Sequence, residues 1–290
     1  MVDTLSELIL PTEHPIDLHL TLKSGQSFRW IEKNETFEGV LGNDLFFLRN
    51  NGDSVQIISS VLNDQQVITQ LSSYFRLNDN WKEIVRTIGF DECLSSALCR
   101  YRGLRLLRQD PWETLVTFVI SSVSNISKIS HCIEGLCQTF GSQLRFYGSL
   151  RHSFPSAQVL AKSSEQELRS VGLGFRARFV KEIAQCVVET DFDVGILRNY
   201  SYGQAKDWLM GLPGVGPKVG DCTMLYGLDK LESFPVDRWI ERGLKRWYSD
   251  QMSIWAKDAQ GWALNYFGKY AGYAQLYLFH DMRVNSRGLN

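Results

Sequence analysis

The pattern of apolar positions divides the chain in two. From Ser27 to Ser60, apolar residues come in short runs: Phe28-Arg29-Trp30-Ile31, Phe37-Glu38-Gly39-Val40, Leu45-Phe46-Phe47-Leu48 and Val55-Gln56-Ile57-Ile58. Turn residues separate them, among them Gly42-Asn43-Asp44 and Asn50-Asn51-Gly52-Asp53. Short aromatic and β-branched runs between such turns predict an antiparallel meander. Beyond Asn63 the helical period takes over. Val67, Leu71, Tyr74 and Phe75 fall at helical spacing. Asp110-Pro111-Trp112-Glu113 reads as a helix start, with an Asp cap, proline at the first position and Glu at the third. Leu115, Phe118 and Val119 then form a stripe that reads as core. Further helices are predicted over 126–140, 164–171, 177–189, 202–210, 217–226, 237–247, 254–267 and 272–283. There is no internal repeat and no low-complexity linker. The expected fold class is α+β: an antiparallel sheet domain over 1–105, then an all-helical body over 106–290.

Composition narrows the class and leaves the function open. The chain has 290 residues, 44 % apolar and 22 % charged, as in a globular protein of one or two domains. No stretch approaches the roughly 18 uninterrupted apolar residues of a membrane span. The opening residues carry Asp3 and Glu7 and no basic cluster, so no secretory leader is expected. Six widely spaced cysteines (Cys93, Cys99, Cys132, Cys137, Cys186 and Cys222) then read as reduced, mostly buried thiols of an intracellular protein. None forms a C-x-x-C, which excludes a zinc ribbon or an iron–sulfur loop of that spacing. The net charge of −1 means that any nucleic-acid surface must be a local patch.

The segment Leu212-Pro213-Gly214-Val215-Gly216-Pro217-Lys218 carries the first chemical signal. It reads as a hairpin between two helices, the second starting at Pro217. A helix start offers free N–H groups and a positive dipole end to a phosphate. An ordinary helix–helix turn has the same glycines. Lys218 changes the weighing, because a lysine in the first turn opposes the dipole. A lysine nucleophile has to act as the neutral amine. Nineteen residues on, Phe234-Pro235-Val236-Asp237 places an acid where the next helix begins. Asp237 is then a helix cap, a partner of Lys218, or both.

Leu212–Lys218 followed by Val236-Asp237 resembles the helix-hairpin-helix, Gly/Pro, Asp signature of base-excision DNA glycosylases. The match extends to Lys23-Ser24-Gly25-Gln26-Ser27-Phe28-Arg29-Trp30 and Gly103-Leu104-Arg105-Leu106-Leu107-Arg108-Gln109-Asp110-Pro111. It continues through Gly172-Leu173-Gly174-Phe175-Arg176-Ala177-Arg178 and Gly272-Tyr273-Ala274-Gln275. These blocks, in this order, are similar to the eukaryotic-type 8-oxoguanine DNA glycosylases. The resemblance implies a TBP-like N-terminal sheet domain, a helix-hairpin-helix at 203–227, and a monomer acting on duplex DNA inside the cell.

It also implies roles. Lys218 attacks C1′ and forms a Schiff base that proceeds to β-elimination, while Asp237 stabilises the cationic sugar and orients the lysine. The Gly25 carbonyl accepts the N7–H that distinguishes 8-oxoguanine from guanine. Gln275 binds the Watson–Crick edge, and Phe279 and Cys222 take the two faces of the base. Phe175 wedges into the stack and Arg176 meets the orphaned cytosine. Gly214, Gly216 and Val219 meet the DNA backbone. No cofactor is required, and the carbonyls of Met210, Leu212 and Val215 are candidates for a monovalent or divalent cation.

Three positions depart from the family pattern. The cytosine-reading asparagine becomes Val123, with Asn125 two residues later. A cytosine-reading arginine becomes Lys128, which lacks the planar fork. A phosphate-binding histidine becomes Trp239, leaving Arg238 beside it for that role. Arg100, Arg102, Arg105 and Arg108 read as a solvated face, with a phosphate patch as the alternative. Two other readings compete, a monofunctional alkyl-base glycosylase and a non-catalytic hairpin module. Lys218 speaks against the first, and its pairing with Asp237 against the second.

Overall fold

A computed structural model of the chain describes residues 8–285. The first seven residues, part of the stretch read for a leader, lie outside it. β1 (Leu8–Leu10), α1 (Leu18–Leu22), β2 (Ile31–Lys33), β3 (Thr36–Leu41), β4 (Asp44–Asn51) and β5 (Ser54–Ser59) come first. The strands form one antiparallel sheet in the order β1-β5-β4-β3-β2. The meander is the expected one; β1 is an addition, paired on β5 with Leu8 opposite Ile57. Strand alternation turns Phe46, Leu48, Val55 and Ile57 to one face, where they are buried with Val67 and Leu71 of α2 (Asp64–Tyr74).

The expected strand over 28–31 begins only at Ile31. Residues 24–30 run irregularly because one buried side chain replaces the ladder. Gln26 Nε2 donates to Arg105 O at 2.7 Å, and Gln26 Oε1 accepts from Leu107 N at 2.9 Å. Gln109 Nε2 donates to Gln26 O at 2.7 Å. The segment's polar groups are thus met by the 105–109 stretch rather than by a neighbouring strand.

The helical body contains α3 (Trp81–Ile88), α4 (Glu92–Arg100), α5 (Pro111–Ile120) and α6 (Ile126–Phe140). Asp110 caps α5 as the sequence predicts, accepting from Glu113 N at 2.8 Å. A second sheet, the hairpin β6 (Gln143–Phe146) and β7 (Ser149–His152), was not expected. It leans on the first sheet. Phe47 meets Tyr147 edge-on at 5.3 Å, and Arg151 bridges Glu38 and Glu134 at 3.2 and 3.0 Å.

The chain continues through α7 (Ala157–Lys162), α8 (Glu165–Leu168), α9 (Arg176–Glu189), α10 (Tyr202–Met210) and α11 (Pro217–Gly227). It ends with α12 (Arg238–Trp247), α13 (Met252–Trp255), α14 (Ala259–Phe267) and α15 (Ala271–Asn285). Two expected helices differ. The one over 164–171 stops at Leu168 and passes into a π-turn in which Gly172 has φ 90°. The one over 254–267 is interrupted at Asp258, whose carboxylate caps α14 by accepting from Gly261 N at 2.9 Å.

The four arginines after Ser96 do not make one solvated face. Arg105 is buried, 4.9 Å over the Trp81 ring. Arg108 binds Asp229 at 2.7 Å, and Arg100 pairs with Asp281. Asp229 also takes Arg76 and Arg198, and so ties the sheet core to the end of α11. Among the described residues, no helix is long and apolar enough to cross a membrane.

Candidate active site

α10 and α11 flank the hairpin that the sequence predicts. Gly214 there has φ 73°, and an added Cβ would lie 2.5 Å from Phe179 Cγ, so the chain passes too close to α9 for a side chain. Gly216 begins α11 with no side-chain cap, leaving its first N–H groups open to an anion. The Leu212 carbonyl accepts from Val215 N at 3.2 Å within the turn. Among the described residues, no cluster of His, Cys, Asp or Glu could hold a metal ion.

Lys218 is half-buried at the second position of α11. Its Nζ donates to Ser121 Oγ at 3.2 Å and lies 4.9 Å over the Phe118 ring. Phe118 is stacked on Tyr226 of α11 at 5.4 Å. The amine thus rests on an aromatic floor, next to a hydroxyl that itself donates to Phe118 O at 2.7 Å. Cys222, one turn further along α11, is 4 % exposed. Burial pushes its thiol up to about 12, with Lys218 pulling the other way. It is therefore a neutral, polarisable contact.

Asp237 caps α12. Its Oδ1 accepts from both Trp239 N and Ile240 N, each at 2.9 Å. Among the described residues Oδ2 takes no hydrogen bond. Two residues before it, Pro235 O accepts from Gln275 Nε2 at 3.1 Å. Gln275 is 4 % exposed, and its Oε1 is buried without a hydrogen-bond partner. A buried unpaired acceptor costs about 1–3 kcal/mol, so this one is a group that a ligand would satisfy.

Phe279 lies one turn beyond Gln275 on α15. Gly25, with φ 99°, comes against the same helix: a Cβ built on it would lie 2.9 Å from Ile126 Cδ1 and 3.2 Å from Arg283 Nη1. The contacts link these residues in groups. Lys218 donates to Ser121, and Lys218 and Asp237 both act electrostatically on the Cys222 thiol. Gln275 holds the peptide two residues before Asp237, and Arg283 lies between Phe279 and Gly25. The sequence reading puts Gly25, Lys218, Cys222, Asp237, Gln275 and Phe279 in one site; the structure sets Lys218 and Asp237 in electrostatic reach of Cys222, and Gln275 and Phe279 one turn apart on α15. Phe118, Ser121 and Ile126 border these residues and were missed. Phe118 and Ser121 had no separate sequence signal, since the stripe containing Phe118 also supplies core.

The second surface is less complete. Phe175 is 53 % exposed and meets Phe179 edge-on at 6.3 Å, so it shares a face with the hairpin at Gly214. Lys128, Val219 and Arg238 divide: Lys128 and Arg238 are exposed, and Val219 is buried in the core. Asn125 is the cap of α6, its side chain accepting from Lys128 N at 2.9 Å. Arg176 is 6 % exposed and its guanidinium is taken by backbone carbonyls, from Nε to Ser122 O at 2.7 Å and from Nη2 to Val123 O at 3.1 Å. In this conformation the Arg176 guanidinium is held by the backbone, while Asn125 is exposed with its Oδ1 capping α6. Val123 is 84 % exposed at φ 53°, an unusual conformation for a β-branched residue.

With this geometry in view, the likenesses to known proteins fall into place. Residues 8–115 match the family model described as the 8-oxoguanine DNA glycosylase N-terminal domain. Residues 116–259 match that of the HhH-GPD superfamily base excision DNA repair proteins. An N-glycosylase/DNA lyase of Saccharomyces cerevisiae is 32 % identical over 252 residues, 78 % of this chain and 67 % of its own. A probable N-glycosylase/DNA lyase of Methanothermobacter thermautotrophicus is 30 % identical, over 92 % of this chain and 93 % of its own. The 8-oxoguanine glycosylase/lyase of Clostridium acetobutylicum has been solved with duplex DNA containing cytosine opposite 8-oxoguanine. It superposes with a TM-score of 0.90 at 27 % identity, covering 98 % of this chain and 99 % of that one. The chain belongs to the 8-oxoguanine DNA glycosylase/lyase family of helix-hairpin-helix base-excision repair proteins.

Proposed function

We infer that this chain flips 8-oxoguanine out of duplex DNA, excises it through a lysine Schiff base, and cleaves the resulting abasic site by β-elimination. The observation that carries the reading is the buried, unpaired Gln275 Oε1, on a side chain bonded to the segment that leads into Asp237. Lys218 and Asp237 both act on the Cys222 thiol, which supports placing the amine and the carboxylate in the same site. A base inside a duplex cannot reach such a site, so it must leave the stack.

In this reading Lys218 Nζ, as the free amine, forms the bond to C1′ as the base departs with the glycosidic electrons. Loss of the amine proton and opening of the sugar give the imine. Abstraction of a C2′ proton then expels the 3′ phosphate. Asp237 Oδ2 faces the positive charge that grows on the sugar, where a fixed carboxylate acts by electrostatics. Gln275 pairs with the Watson–Crick edge. Gly25 O takes N7–H, and Phe279 and Cys222 take the two base faces. Gly214, Gly216 and Val219, through the hairpin backbone, and Arg238 hold phosphates, and Phe175 fills the vacated stack.

No step requires a cofactor. A monovalent or divalent cation on the carbonyls of Met210, Leu212 and Val215 would suit their oxygen chemistry and steady the hairpin. We propose that the protein acts as a monomer inside the cell, and that the sheet domain over 1–105 presents Gly25 to a catalytic body over 106–290.

Opposite-base selection is expected to be moderate. One good bidentate contact gives about 1–3 kcal/mol of discrimination, roughly 5- to 150-fold. Here Val123 has no side-chain hydrogen bond to offer, and Asn125 and Arg176 are engaged with the backbone. Single-turnover release of 8-oxoguanine placed opposite each of the four bases tests both the activity and this expectation. Measurable excision opposite thymine, guanine and adenine is expected. A preference for cytosine above about a thousandfold would show that Arg176 or Asn125 leaves its backbone partners to read the base. Absence of release opposite every base would overturn the activity.

A further inference from the structure

Arg283 lies one turn beyond Phe279 and two turns beyond Gln275, on the same face of α15. Its Nη2 donates to Lys23 O at 2.7 Å, across 260 residues of chain. Its guanidinium carbon is 5.9 Å from the Phe279 ring centre. Its Nη1 would stand 3.2 Å from a Cβ on Gly25. One side chain therefore touches the turn that carries Gly25 and the aromatic ring assigned to the base.

Gln26, bonded to the 105–109 stretch, fixes the far side of the turn, and Arg283 reaches its near side. Lys23 closes α1, Ser24 Oγ donates back to Thr21 O at 2.8 Å, and Gly25 sits at φ 99°, where a glycine backbone is soft. The direction of the peptide following Gly25 decides where its carbonyl points. A single N7–H is all that separates the lesion from guanine at that edge, so a small rotation of this peptide would erase the difference. Arginine suits the task because its planar fork can hold a carbonyl and lie beside a ring at once, which lysine cannot do equally well.

We propose that Arg283 is a positioning residue for lesion recognition. It clamps the 23–25 turn through Lys23 O and steadies Phe279, and so holds the Gly25 carbonyl where the N7–H of 8-oxoguanine meets it. The proposal rests on the function inferred above. It concerns the choice of base and leaves the chemistry at C1′ to Lys218 and Asp237.

The test compares two substrates on the same variants: duplex DNA with 8-oxoguanine, and duplex DNA with a preformed abasic site. Arg283→Leu should slow 8-oxoguanine release by about tenfold to a hundredfold, the loss expected when one charged hydrogen bond no longer holds the reading group. Strand cleavage at the abasic site, which needs no base recognition, should stay within about twofold. Arg283→Lys, which can still donate to Lys23 O, should recover part of the loss, and thermal melting should show both variants folded. Equal losses on both substrates would make Arg283 merely structural and overturn the proposal. So would an unchanged rate, or weaker duplex binding with no change in bound-state rates, the sign of a phosphate contact. Wild-type protein that cleaves the abasic site but releases no 8-oxoguanine would instead defeat the functional reading.

Discussion

Lys218→Gln is expected to remove base release and imine formation together while leaving the fold and duplex binding largely intact. The amine stands at the second position of α11, 3.2 Å from Ser121 Oγ and over the Phe118 ring. Glutamine has similar length and can still meet Ser121, so the helix start and its surroundings need not move. It has no nucleophilic amine. Loss of a covalent nucleophile acts on a scale of about 10⁴–10⁶ in rate. Single-turnover release from 8-oxoguanine duplex measures the effect, with a gel-shift titration to confirm binding. Release by Lys218→Gln at near the wild-type rate would show the nucleophile to be another group.

Asp237→Asn is expected to cost about 10²–10³ in the chemical step, the usual effect of removing one electrostatic stabiliser of a developing charge. The structure makes this substitution informative. Both cap hydrogen bonds fall on Oδ1, and an asparagine oxygen at that place can accept them equally well. The melting temperature should therefore hardly change. A rate near wild type, with an unchanged melting temperature, would mean that Asp237 is a helix cap and nothing more. A large fall in melting temperature would make the rate loss uninformative about charge, and Asp237→Ser would then serve as the neutral cap for comparison.

The sequence carried the part of the site that depends on residue type and local spacing. Glycines at a hairpin, a lysine at the wrong end of a helix and an acid at the next helix start are all visible without coordinates. The α5 cap at Asp110 and the β3–β4–β5 meander were legible for the same reason. What stayed hidden depends on contacts between distant segments. Nothing near Gln26 announces that it would replace a strand ladder by bonding to residues 105–109. The β6–β7 hairpin was missed because its strands are four residues each and mostly half-exposed, so they lack a strong apolar pattern. Arg176 keeps the family residue type, but its guanidinium turns inward to the carbonyls of Ser122 and Val123. Arg283 could have been found from its spacing to Gln275 and Phe279; its reach to Lys23 could not.

The central claim is that Lys218 becomes covalently joined to the sugar of a lesion-bearing strand. Borohydride reduces an imine to a stable amine, so it freezes that intermediate. Wild-type protein mixed with 8-oxoguanine duplex and borohydride should yield a cross-linked protein–DNA species, and peptide mapping should place the adduct on Lys218. Release of 8-oxoguanine with no cross-link, or a cross-link mapped to another amine, would contradict the account.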